Sequence, residues 1–152
     1  MPGIEMRLIL DTTILVKIDR KDQAIIDAMK NLETSNELHL STITIMEILT
    51  GSNLRRNAEQ AIKKAKMLMA RMNWLSISPE IAEKAAEINA YLIANGQKIE
   101  LPDVVIAATC DVEKMDAILT MNQEHYNRIP FLKDKIYSPL DLNLKPKAEP
   151  EE

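Results

Sequence analysis

The chain has a single cysteine, five aromatic residues and no apolar run of membrane-spanning length. Cys110, being alone, excludes an internal disulfide. So few rings leave little for stacking bases, and a formal net charge of −4 argues against coating nucleic acid through overall charge. With neither a membrane-length segment nor an N-terminal secretory apolar region, the expectation is a soluble, cytosolic protein. The two histidines, His39 and His125, stand apart in the sequence and offer no zinc cluster.

What is present is apolar: 46% of 152 residues, enough for one domain with a proper core and too short for two comfortable ones. The domain is expected over residues 1–142. The remainder, 143–152, ends in KPKAEPEE, too polar and proline-rich to pack, and is expected to be a disordered tail. Charge is segregated. Between Gly51 and Leu75 six basic residues face one acid, a net +5 that leaves −9 for the rest. A solvated helix face accounts for such a segment; so does a local nucleic-acid contact through Arg55, Arg56, Lys63 and Lys64.

Periodicity predicts strands and helices in alternation. Strands are expected at 6–10, 37–41, 73–77, 117–120 and 135–137. Helices are expected at 22–33, from Ser41 or Thr42 to a stop near Gly51, at 54–72, from Ser78-Pro79 to Asn95-Gly96, and from Pro102 to about Glu113. Parallel strands need crossover helices, and those helices cover both faces. The expected fold is therefore a three-layer α/β/α sandwich with a mainly parallel sheet of four to five strands.

In open sheets of this class ligands collect beyond the carboxyl ends of the strands. Three acids in apolar surroundings fall near that rim: Asp11 inside RLILDTTILV, Glu47 in TITIMEILTG and Asp103 in LPDVVIAATC. Each has a purely structural role open to it. Thr44-x-x-Glu47 matches a capping box, and a first-turn aspartate such as Asp103 suits the helix dipole. Asp11, taken as a strand residue, has no cap to make. Converging carboxylates repel one another in a low-dielectric rim, and a hard divalent cation among them relieves the repulsion, so oxygen-only ligands point to Mg²⁺ or Mn²⁺. On that basis Asp11→Asn is expected to raise the melting temperature in EDTA. Asp111, eight residues beyond Asp103 and about 12 Å along the helix, is too far to share an ion.

The set LDTT (10–13), STITIMEILTG (41–51), LPDVVIAATC (101–110) and LTMNQEHYNRIP (119–130) resembles the PIN-domain family, the metal-dependent ribonuclease fold that includes the toxins of VapBC toxin–antitoxin pairs. The resemblance implies a metal-binding and catalytic set of Asp11, Glu47 and Asp103, with Thr12, Thr120 and Asn122 as supporting polar residues. Asn122 departs from the acidic pattern at the fourth position, which implies one ion rather than two held tightly. It further implies an RNA substrate, a homodimer and a small antitoxin partner. The competing expectation is a PIN-like module that binds RNA or protein with little turnover.

Overall fold

The computed structural model describes residues 5–144. Five strands form one sheet: β1 (Arg7–Leu10), β2 (Glu37–Ser41), β3 (Asn73–Leu75), β4 (Ala117–Leu119) and β5 (Ile136–Tyr137). Their order is β3-β2-β1-β4-β5 and every pair is parallel, so the sheet is wholly parallel. The helices are α1 (Thr12–Asp19), α2 (Gln23–Glu33), α3 (Thr42–Asn53), α4 (Ala58–Met69), α5 (Pro79–Ala94), α6 (Leu101–Val112), α7 (Gln123–Asn127) and α8 (Pro139–Leu144). Asn143 and Leu144, the first two residues of the expected tail, belong to α8, and the rest of that tail, 145–152, lies outside the described residues.

The two-residue period of β1 splits the core. Leu8 and Leu10 face Ile14, Leu15, Ile25, Met29 and Met69, from α1, α2 and α4. Ile9 faces the opposite side, against Ile81 and Leu92 of α5 and Val104 and Ile106 of α6. Helix α6 is the most deeply placed, with every residue from Val104 to Cys110 buried, as its nearly unbroken apolar sequence requires. Burial pushes the Cys110 thiol up to about 12, so it is inert as a nucleophile.

Several boundaries differ from expectation for local reasons. The TTILV stretch after Asp11 is helical, although its β-branched residues favour strands. Gly51 does not stop α3, which runs on to Asn53. A helix-ending glycine adopts positive φ, and here Gly96 does so at 65° while Gly51 does not. The basic segment is a turn followed by a shorter helix, so Arg55 and Arg56 lie between α3 and α4 rather than on a helix. The third strand ends at Leu75, two residues early.

Candidate active site

Asp11 follows directly on β1, and its amide continues the ladder by donating to the Leu119 carbonyl of β4 at 2.9 Å. Its side chain is buried, 1% exposed, and serves as the N-cap of α1, accepting from the Thr13 amide through Oδ1 at 2.7 Å. The strand reading of Asp11 is therefore corrected: this acid does make a cap. Oδ2 accepts from two hydroxyls, Thr120 Oγ1 at 2.9 Å and Tyr126 OH at 2.8 Å. The Thr120 oxygen in turn accepts from the Asn122 amide at 2.8 Å, so the turn after β4 is built around the Asp11 carboxylate.

The Tyr126 hydroxyl, fully buried, also lies 3.3 Å from Asp103 Oδ1. Asp11 and Asp103, distant in sequence, thus touch one phenol. The other Asp103 oxygen, Oδ2, accepts from His125 Nδ1 at 2.8 Å, and the side-chain Nδ2 of Asn122 lies 2.9 Å from the same ring nitrogen. His125 is consequently no isolated histidine; it belongs to the site.

Glu47 sits on α3. The N-cap of that helix is Ser41, which accepts from the Ile43 amide at 3.2 Å, so the Thr44–Glu47 capping box does not form. Instead the Thr12 hydroxyl donates to Glu47 Oε1 at 2.7 Å and lies 3.2 Å from the buried Thr44 hydroxyl. Thr12 joins the first helix turn after Asp11 to the third acid.

The electrostatics show the strain of gathering these anions. Asp103 titrates above the usual carboxylate range, chiefly through burial and further through the Asp11 charge, opposed by the His125 and Tyr126 hydrogen bonds. Glu47 is also raised, first by burial and then by Asp103, Asp11 and Glu100, against the Thr12 hydrogen bond. Burial, reinforced by Asp11 and Asp103, pushes the Tyr126 phenol well above its usual value, so it remains a proton-bearing donor at neutral pH. Asp111 plays no part and pairs with Lys84 at 3.5 Å.

Sequence reasoning placed Asp11, Glu47, Asp103, Thr12, Thr120 and Asn122 on this rim but overlooked Tyr126, His125 and Glu100. Nothing in the five-residue helix α7 signals that its tyrosine is buried. Only the rule that a buried phenol needs a polar partner links it to the acids once the fold is known.

A groove of about 460 Å³ opens beside Glu47 between α1, α3 and α4. Its apolar wall includes Leu15, Ile48 and Leu68, and its lining reaches Thr12 and Glu47 as well as Arg55 and Lys64. The groove joins the acidic site to the basic segment. Within that segment Arg55 pairs with Asp19 at 3.0 Å and Arg71 with Glu33 at 2.6 Å, while Arg56, Lys63 and Lys64 are exposed.

Among the described residues, no group of three or more His, Cys, Asp or Glu side chains is arranged to hold a metal ion. The donor chemistry nevertheless suits a hard cation: the Glu47 and Asp103 carboxyls are raised by burial and then by neighbouring carboxylates, and one Asp11 oxygen still carries a spare lone pair.

Comparison with known proteins agrees with this architecture. No curated protein matches the chain by sequence. Among solved structures, VapBC2 from Rickettsia felis bound to a fragment of its promoter DNA is similar at a TM-score of 0.78 and 23% identity, over 88% of this chain and 98% of that one. A toxin–antitoxin complex from Klebsiella pneumoniae gives 0.68 and 23%, over 87% and 97%. VapC20 of Mycobacterium tuberculosis, a sarcin–ricin loop cleaving toxin, gives 0.61 and 15%, over 79% and 93%. At these identities the likeness is one of fold. The model of the PIN domain family, however, matches residues 8–132, most of the chain, and the protein therefore belongs to the PIN domain family.

Proposed function

We propose that the protein is an endoribonuclease dependent on Mg²⁺ or Mn²⁺, acting as the toxin of a VapBC-type toxin–antitoxin pair. The observation that carries this reading is the meeting of Asp11 and Asp103 at one buried phenol, with Glu47 held across Thr12. Family membership and the toxin–antitoxin complexes among the similar structures support it.

In this reading Asp11, Asp103 and Glu47 would hold the cation through their carboxylate oxygens. The chemistry such a cation would supply is Lewis-acid polarisation of the phosphodiester and of water. The chain's own residues fix the geometry: Thr13 and Thr120 orient Asp11, and His125 orients Asp103. With Asn122 as an amide, a single ion is held tightly.

The groove gives the RNA backbone a path from Lys64 and Arg55 to Glu47 at the edge of the site, so the segment confers affinity without sequence readout. Neutralising Arg55, Arg56, Lys63 and Lys64 together should weaken binding of single-stranded RNA. The logarithmic salt slope should flatten by about 0.7 for each phosphate that is no longer neutralised. An unchanged slope assigns the segment to solvated surface. The apolar wall of the same groove suits a segment of a small antitoxin that would cover Glu47, and a homodimer is the proposed assembly.

A binding module with little turnover is the second reading, favoured by the absence of a ready-made metal cage among the described residues. Incubation with single-stranded RNA and Mn²⁺ decides between them. Internal cleavage that EDTA abolishes is the expected result; binding without cleavage selects the module.

A further inference from the structure

Asp11 has two oxygens with unequal freedom. Oδ2 accepts from Thr120 Oγ1 at 2.9 Å and from Tyr126 OH at 2.8 Å, which uses both of its lone pairs. The Thr120 hydroxyl donates to Oδ2 while its oxygen accepts from the Asn122 backbone amide, so both of its roles are used in this turn. Oδ1 accepts only from the Thr13 amide among these contacts and keeps one lone pair. The Tyr126 ring is completely buried in the core cluster that contains Ile9, Val104 and Ile118, so the phenol oxygen is fixed with respect to both sheet and α6. That oxygen is also 3.3 Å from Asp103 Oδ1.

We infer that Tyr126 is a positioning residue: its hydroxyl donates to Oδ2 of Asp11 beside Asp103, so that Oδ1 is the Asp11 oxygen that would remain open to a divalent cation. The inference deepens the metal-dependent reading of the site and rests on it. The competing role is that of a core filler whose hydroxyl merely finds nearby acceptors. Such a filler contributes to stability and leaves cation affinity untouched, whereas a residue behind a metal ligand orients it, and losing that residue typically weakens metal affinity by about 10- to 100-fold.

The test is calorimetric titration of Mn²⁺ into the unaltered protein and into Tyr126→Phe, which keeps the ring and removes only the oxygen, with circular dichroism to confirm folding. The expected result is Mn²⁺ affinity weaker by about 10-fold or more in Tyr126→Phe. Thr120→Val, which removes the other Oδ2 donor, should act in the same direction, and Thr120→Ser should recover the affinity. These two variants carry the test if Tyr126→Phe does not fold. Equal affinities in a folded Tyr126→Phe and the unaltered chain overturn this inference alone. No Mn²⁺ binding by the unaltered chain overturns the metal-dependent reading and this inference with it.

Discussion

Replacing Asp11 by asparagine should lower the melting temperature in EDTA and remove RNA cleavage together. Three donors converge on this carboxylate, from the Thr13 amide and the Thr120 and Tyr126 hydroxyls. An amide N–H on either side of the new side chain meets one of these donors, and the charge that strengthened the bonds is lost. Leaving a buried polar group unsatisfied costs about 1–3 kcal/mol. At roughly 2–4 °C per kcal/mol for a domain near this size, the fall is readily seen by calorimetry. This reverses the expectation from sequence that relief of repulsion dominates at Asp11. Convergence of charge is visible in a pattern of acids, but the hydrogen bonds that stabilise one of them are not.

Asp103→Asn should behave in the opposite way in EDTA, raising the melting temperature at neutral pH while also abolishing cleavage. Its carboxyl is protonated more readily in the fold than in the unfolded chain, because burial and the Asp11 charge outweigh the His125 and Tyr126 hydrogen bonds. The sign follows from linkage. A folded value above the unfolded one gives stability that is present below the unfolded pKa and lost as pH rises through the folded pKa. Thermal scans across that window should therefore show the metal-free protein losing stability with rising pH, and Asp103→Asn should lose less. A variant that melts lower than the unaltered chain at neutral pH, with the same pH slope, contradicts the account of Asp103 as a destabilised anion. Mn²⁺ should narrow the difference, since an ion bound only by the folded form stabilises the unaltered chain selectively.

The layers of the fold were legible because local signals agreed with one another. Ser78-Pro79 caps and opens α5 as predicted, Asn95-Gly96 closes it, and the apolar α6 lies where a helix buried all round must lie. Alternation of strands and crossover helices sufficed to predict a parallel three-layer sandwich, which the sheet order bears out. Helix α1 was not legible. Asp11 followed by two threonines is a helix start as well as a strand end, and the β-branched run that follows carries no clear helical signal, so no element was expected between 10 and 22. The acids could be placed on the rim from topology alone. Tyr126 and His125 could not, because their part depends on a short helix folding back beneath the acids, a tertiary contact with no periodic signature. The same holds for Thr12, expected merely as a polar neighbour, whose hydroxyl links the start of α1 to Glu47.

The central claim is that Asp11, Glu47 and Asp103 form one metal-dependent nuclease site, and it is tested most directly by the rate of single-stranded RNA cleavage against Mn²⁺ concentration. The measurement compares the unaltered protein with the Asp11→Asn, Glu47→Gln and Asp103→Asn variants. A saturating, EDTA-sensitive rate in the unaltered chain is predicted, with losses in each variant beyond the roughly 10- to 100-fold typical of residues that only support a metal ligand. Cleavage that persists after exhaustive chelation, or that survives neutralisation of all three acids, would contradict it.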